Sequence, residues 1–531
     1  MGGIAGWVAV PRRALDESAL SAMLAPIAHR FPAQGELSAV CERGVRQQAV
    51  LGASLHDAPS GISIALDGAL TNAAELKTVL GKRGYVFTAE GDAEVLLRAY
   101  QHWDRDVVKQ LRGAFAFAVW DERKERLLLA RDRFGVKPLF MHERDGVLRF
   151  ASEPKALLAA PGVAARPDAE AVRECLLHGF VAAPRTLFEG IRKLEPASYA
   201  LWQLGRLHES CYWTAPDHDP APEARAGGET DALERFLAGL EEAVKLDALG
   251  EKAGGLLLSG GIDSAVLAAL MAKQGSALHT FSLGFEGEEK SELPQAAQVA
   301  KHFGATHHEI VAAPRELPAL LERLVAQRDA PLGRASDLAV HLLAAEAARS
   351  VPRALTGEGC DEVLGGYRRY ALRSVTAPLR PMLYEDQTRS LPDSLLERND
   401  RLGAAAGVEL RAPYLDHRIA EGVSAQPDTL RVRGLSTKWI LRRAAERVLP
   451  PELRKRPKRG FRVPVALWLR GELRAPLEAH LRGADSAMRK MGNAAEIDQL
   501  LDEHLSSKKD HAGRLWTLLN LEIWHRSCLR A

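Results

Sequence analysis

Leu256-Leu-Leu-Ser-Gly-Gly-Ile-Asp-Ser264, running on into Ala265-Val-Leu-Ala-Ala-Leu-Met271, is a strand, a tight turn and a helix written in succession. The apolar run Gly254 to Leu258 is short enough for a buried parallel strand. Ser259-Gly260-Gly261 is turn chemistry, and the small and apolar residues from Ser264 to Lys273 predict a helix. Such a turn makes an anion site, because backbone N–H groups and the helix dipole converge and glycine lets the backbone come close. Asp263 has the wrong charge to meet an anion directly, so its place here implies a divalent cation between it and a phosphate. An ordinary α/β domain also carries Gly-rich turns, but strand, SGGxDS and helix together are more specific. The chain has no Walker sequence, since no lysine follows these glycines.

Working outward, the second half alternates helical stretches with the apolar runs Leu278–Phe285, His308–Val311 and Arg353–Thr356, which predicts a parallel sheet with helices on both faces. Ligands of such sheets sit beyond the carboxyl ends of the strands, where Ser259 and Thr356 both fall. From about Thr437 the chain reads as mostly helical. The first part, to residue 213, is strand-rich: Ile62–Leu66, Ala114–Trp120 and Arg126–Ala130 are short β-like runs between turn residues. Residues 214–231 collect prolines, glycines and charges without apolar periodicity and read as a linker.

The 531 residues suffice for two or three domains. With 46% hydrophobic residues, 26% charged residues and a formal net charge of +2, composition gives no reason for a nucleic-acid or membrane partner. The five scattered cysteines fit a reducing cytoplasm, with neither a disulfide framework nor a zinc site. No signal peptide or membrane span is expected.

SGGxDS resembles the pyrophosphate loop of ATP pyrophosphatases. The chain as a whole resembles the glutamine-dependent asparagine synthetase family, with its β-lactam synthetase and peptide-cyclase relatives. The resemblance rests on Gly3-Ile-Ala-Gly6, Gly113-Ala-Phe-Ala-Phe-Ala118, Arg131-Asp-Arg-Phe-Gly-Val-Lys-Pro-Leu139 and Phe150-Ala-Ser-Glu-Pro-Lys-Ala-Leu157. The second half adds Leu258–Ser264, Thr356-Gly-Glu-Gly-Cys-Asp-Glu-Val-Leu-Gly-Gly-Tyr367, Gly407-Val-Glu-Leu-Arg-Ala-Pro-Tyr-Leu-Asp416 and Arg456-Pro-Lys-Arg-Gly-Phe461. It implies an N-terminal nucleophile (class II glutaminase-like) α+β sandwich over residues 1–213. It also implies an α/β ATP-pyrophosphatase synthetase domain over residues 232–531, which adenylates a carboxylate with ATP and Mg before an amine attacks.

Carried over position by position, the resemblance places ATP on Ser259, Gly260, Gly261, Asp263 and Ser264, with Gly357 in the facing loop and the base at Ser282 and Leu283. Mg falls to Asp263 and Asp361. Glu358 and Lys458 take the catalytic roles, and Lys438 is a lesser candidate for an ATP or structural contact. Ser282 could instead be only a strand-end cap. Arg334 and Asp337 could meet a charged substrate, or be a helix cap and a surface charge. Family members are often homodimers, and the same is expected here.

Departures are as telling. Glutamine-hydrolysing members begin Met-Cys-Gly, whereas this chain begins Met1-Gly2-Gly3, without the thiol that chemistry needs. The family's Arg-His-Arg-Gly-Pro-Asp stands as Ala28-His-Arg-Phe-Pro-Ala33, its Glu-Arg-Leu-Ser-Ile as residues around Leu51–Leu55, and its Asn-Gly-Glu-Ile-Tyr-Asn as Asp67-Gly-Ala-Leu-Thr-Asn72. Only Asp92 keeps its match. A glutaminase-defective first domain is therefore expected. Glu358 is the asparagine-synthetase residue at a position where β-lactam synthetase has Tyr. Only residues 371–390 precede Leu391-Pro-Asp-Ser-Leu-Leu396, and Asp-Glu-Pro has become Asp329-Ala-Pro331, which leaves aspartate in doubt as the substrate. The expected function is an amide-forming ligase for a small-molecule or peptide carboxylate and an amine or ammonia, in specialised metabolite or modified peptide biosynthesis. An ammonia-dependent asparagine synthetase is the second enzymatic reading, and a non-catalytic scaffold the alternative from another class.

Overall fold

The computed structural model describes residues 2–9, 17–31, 38–43, 48–53, 55–218, 228–248, 253–275, 277–286, 291–374, 376–454 and 463–529. The N-terminal part is two six-stranded antiparallel sheets laid face to face. Alternation on the strand Gly113–Asp121 shows how the sequence builds them. Ala116, Ala118 and Trp120 meet Val8, Met141 and Leu148 of the other sheet, while Phe115, Phe117 and Val119 pack outward onto the helix Asp92–Trp103. Both faces of the strand are buried, which is why its sequence is apolar almost throughout.

The second part is built on five parallel strands: β1 (Ala253–Leu257), β2 (Ala277–Phe285), β3 (Thr306–Ala312), β4 (Arg353–Leu355) and β5 (Glu409–Arg411). Their order is β3-β2-β1-β4-β5. The chain runs outward from β1 in one direction and from β4 in the other. The connections therefore part above the carboxyl ends of these two strands, and a crevice opens there. Sequence reading had placed β1 to β4; β5 is three residues long and lay hidden in the Gly407–Asp416 motif. Helices Glu229–Ala248, Ile262–Lys273 and Trp439–Val448 share one core, and Ser336–Ala347 packs on the opposite face.

The stretch read as a linker is pinned at its start. Asp217 is buried and accepts from Arg431 at 2.7 and 2.8 Å and from Ser424 at 2.8 Å. Residues 219–227 lie outside the described residues, and the next helix begins at Glu229.

The two parts join through a shared core in which the rings of Phe188 and Trp524 stand 5.5 Å apart. At Gly179 and Gly333 the two backbones cross so closely that a Cβ on Gly333 would lie 2.0 Å from the Gly179 carbonyl oxygen. The late helix Ala512–Cys528 holds the segment Asp329–Gly333. Trp516 Nε1 donates to the Leu332 carbonyl at 2.8 Å, Trp524 Nε1 donates to the Asp329 carbonyl at 3.1 Å, and Asn520 Oδ1 accepts from Leu332 N–H at 3.2 Å. No helix among the described residues is long and apolar enough to cross a membrane.

Candidate active site

The turn after β1 closes on itself through its hydroxyls. Ser264 Oγ accepts from the Ser259 N–H at 3.1 Å, and the two serine hydroxyls are 3.0 Å apart. Ser259 Oγ accepts from Gly261 N–H at 3.1 Å. The Gly260 N–H donates to Glu292 Oε2 at 3.3 Å, so a carboxylate oxygen stands where this loop would present its donor to a phosphate. Beside the turn lies a cleft walled by Leu257, Leu258, Ser282, Leu283, Leu293 and Leu343. Ser282 Oγ donates to the Leu258 carbonyl at 2.6 Å, which ties the end of β1 to the interior of β2; Ser282 is not a strand-end cap, since β2 runs on to Phe285.

The loop after β4 faces this turn at close range. A Cβ on Gly357 would come within 3.3 Å of Asp263 Cβ. Asp263 and Asp361 converge on one ammonium: Lys438 Nζ is 2.6 Å from Asp263 Oδ2 and 2.7 Å from Asp361 Oδ1. The lysine side chain is 3% exposed and each aspartate 21%, so the carboxylates and not the ammonium look into the crevice. Burial alone would lower the Lys438 pKa, but Asp263, Cys360 and Asp361 outweigh it and hold the group well above its ordinary value. Lys438 has φ 53, a left-handed cap to the helix Trp439–Val448, and this aims the residue back at the strand ends. Sequence reading treated Lys438 as a lesser contact; the structure puts it at the centre.

Three residues complete this cluster that the sequence did not single out. Cys360 Sγ donates to Asp263 Oδ1 at 3.4 Å, and Tyr414 Oη donates to the Asp263 carbonyl at 2.9 Å. Gly366 has no room for anything larger, since a Cβ there would lie 1.9 Å from Asp361 Oδ1 and 2.0 Å from Lys438 Cε. Its signal was the Gly-Gly pair after Asp361, whose reason only packing reveals. Glu362, buried next in sequence, accepts from Tyr367 Oη at 2.5 Å, and burial followed by the Asp361 charge raises its pKa to about 7.

Glu358 sits one step further along the loop. Arg398 Nη2 donates to its Oε1 at 2.5 Å, and its own N–H donates to Thr356 Oγ1 at 3.1 Å. Asp337 is buried and lies in the same chain of charges, 3.0 Å from Arg328 and 3.5 Å from Arg398. It lies in the first turn of the helix Ser336–Ala347 and accepts from the Arg334 N–H at 3.3 Å, so it is not a surface charge, and the cap position is Ala335, not Arg334. The Arg334 side chain is exposed. Lys458 lies outside the described residues.

A divalent cation suits this donor set. Two carboxylates, hard oxygen ligands, meet beside a turn made for phosphate, and Mg typically takes only one or two protein carboxylates with phosphate and water filling the rest.

At the N-terminal end, a Cβ on Gly2 would lie 3.0 Å from the Leu66 carbonyl oxygen and 3.3 Å from Asp67 Cα. Arg30 is buried and fully engaged, by Asp67 at 3.2 Å and by closer pairs with Glu153 and Asp400. Lys137 Nζ, equally buried, reaches Asp400 at 3.0 Å and Asp67 at 3.6 Å. Asp92 accepts from the Leu70 N–H at 2.7 Å.

The family described as glutamine amidotransferase domain matches residues 1–213, and that described as asparagine synthase matches residues 235–380 and 371–526. Glutamine-hydrolysing asparagine synthetase 1 of Bacillus subtilis is 27% identical to the chain, over 87% of the chain and 85% of the relative. The glutamine-hydrolysing asparagine synthetase B of Escherichia coli is 30% identical, over 75% of the chain and 69% of the relative.

Proposed function

The chain belongs to the asparagine synthetase family of ATP-dependent carbon–nitrogen ligases, and we propose that it adenylates a carboxylate and passes it to ammonia or a substrate amine without drawing nitrogen from glutamine. The observation that supports this most is the contrast between its two centres. In the second half, Asp263, Asp361 and Lys438 meet beside the SGGxDS turn, while in the first half position 2 has no side chain and Arg30 is consumed by carboxylates.

In this reading an oxygen of the substrate carboxylate attacks the α-phosphorus of ATP. The bond to the bridging oxygen breaks and pyrophosphate leaves. The turn from Ser259 to Ser264 would hold that leaving group by its N–H and hydroxyl donors, and Lys438 would neutralise charge beneath it. Magnesium held by Asp263 and Asp361 would supply further neutralisation of the phosphates. The amine nitrogen then attacks the acyl carbon, AMP departs with the carboxyl oxygen, and Glu358 takes the proton the nitrogen must lose. Lys458 is assigned to the developing oxyanion. The cleft by Ser282 and Leu283 would take the base. A homodimer is part of the proposal, and so is a place in specialised metabolite or modified peptide biosynthesis.

Pyrophosphate release with Mg-ATP tests the proposal across a panel of carboxylates, aspartate included, with ammonium, glutamine and simple amines supplied separately and Asp263→Ala as the blank. Release that needs ammonium or an amine and ignores glutamine supports it. Turnover of glutamine overturns the account of the first domain. Turnover of aspartate with ammonium makes the protein an ammonia-dependent asparagine synthetase and removes the specialised role.

A further inference from the structure

We propose that Arg398 is a positioning residue for Glu358, and that the N-terminal domain sets its place by gripping the neighbouring face of the same helix. The inference rests on the role assigned above to Glu358. That residue stands between two glycines on a loop, its side chain 27% exposed, and the loop itself gives it only the backbone bond to Thr356. The Arg398 side chain is 4% exposed and makes the one side-chain tether among the described contacts of Glu358. Its planar fork spans Glu358 Oε1 at 2.5 Å and Asp337 Oδ1 at 3.5 Å, and its Nε donates to Asn399 Oδ1 at 3.1 Å. A guanidinium held at three points fixes a carboxylate in direction as well as distance, which a lysine does not do.

Arg398 belongs to the helix Glu397–Ala406, which continues a π-helical stretch Asp386–Leu396. The neighbouring face of that helix is bound to the first domain by buried charges. Lys193 Nζ lies 3.2 Å from Asp393 Oδ1 and 2.8 Å from Glu397 Oε2. Lys137 and Arg30 both pair with Asp400, and Arg401 reaches Glu153 at 3.1 Å. These contacts span successive turns, so the helix can neither slide nor rotate without breaking buried ion pairs. One residue on from Glu397 is about 100° round the helix, which delivers Arg398 to the loop after β4. The first domain thus reaches the carboxylate of Glu358 through a single rigid element. A misplacement of about 1 Å at such a group costs about 100-fold in rate.

Hydrogen–deuterium exchange on the full-length protein tests this without a substrate. Arg398→Gln, Arg398→Lys, and the paired variant Glu397→Gln with Asp400→Asn are compared in peptides covering 356–361 and 256–264, each under conditions where urea unfolding shows it folded. Arg398→Gln should raise exchange in 356–361 about tenfold and leave 256–264 unchanged. Arg398→Lys should fall between. The paired variant should raise exchange in 356–361 as well, although among the described residues no hydrogen bond or ion pair joins either side chain to that loop. No change in 356–361 with Arg398→Gln overturns the positioning role, and so does a rise in every peptide. A loop that responds to Arg398→Gln but not to the paired variant overturns the part given to the first domain. In pyrophosphate release with the carboxylate found by the panel, Arg398→Gln should lower kcat and leave KM for ATP within about twofold. A Glu358→Gln variant that turns over like the wild type would instead sink the role of Glu358, and the exchange results would stand apart from that failure.

Discussion

At the scale of single residues, Lys438 and Glu362 carry the sharpest expectations. Lys438→Met removes the buried ammonium that both Asp263 and Asp361 contact, and pyrophosphate release should fall by about 100- to 1,000-fold. Turnover within a few-fold of wild type would show that the ammonium is only structural. Glu362 has its pKa raised from 4.5 to about 7, chiefly by burial. Its neutral form is the one the fold prefers. The stability it contributes is fully present below pH 4.5, where the unfolded chain also holds the proton, and is lost as pH rises through 7. Glu362→Gln should therefore flatten the fall in urea stability across that window, by on the order of 3 kcal/mol; an unchanged slope would mean the carboxyl titrates normally. Of these residues the sequence made Asp263, Asp361 and Glu358 legible, because their motifs are local. It undervalued Lys438 and passed over Arg398 and Tyr414, which reach the site from distant parts of the chain. A side chain brought in by packing leaves no spacing to read.

At the scale of elements, the strand, turn and helix around SGGxDS were legible to within two residues, since a change of apolar period and a glycine pair mark them. β5 was not, because a glutamate and an arginine flank its single apolar residue, whereas the equally short β4 ends on an apolar pair. The loop after β4 depends on glycines for two separate reasons. Gly359 has φ 81 and a Cβ there would lie 2.2 Å from Leu415 Cδ2, whereas Gly366 is excluded from growth by Asp361 and Lys438 themselves. Gly366→Ala should accordingly pry those two groups apart. We expect turnover reduced by about 100-fold, with the free energy of unfolding lowered by no more than a typical single substitution, about 0.5–3 kcal/mol. Circular dichroism and the pyrophosphate assay on one preparation check both. Full activity in Gly366→Ala would mean that the Asp361–Lys438 contact is dispensable.

At the scale of the whole molecule, the succession of a strand-rich part and an alternating part was plain in the sequence, but the interface between them was not. Arg30 and Lys137 lay in stretches compared with the family and Asp400 in none, and only the fold shows the three buried together. Two expectations follow at this scale. Asp400→Ala takes one partner from each of two buried cations, which keep Asp67 and, for Arg30, Glu153, and should cost about 1–3 kcal/mol; a loss under about 0.5 kcal/mol in urea unfolding would show that the remaining carboxylates suffice. Gly2→Cys should not restore glutaminase activity, because a side chain at that position meets the Leu66 carbonyl and Arg30 remains occupied. Glutamate release from glutamine by that variant would contradict the closed site. The helix Ala512–Cys528 adds a matter of timing. It is translated some 180 residues after the segment Asp329–Gly333 that its Trp516, Asn520 and Trp524 hold. During synthesis that segment must wait for these three bonds while the strands that follow it are made. The junction of the two parts is thereby completed only when the last helix folds back, so the earliest and the latest stretches of the chain finish folding together.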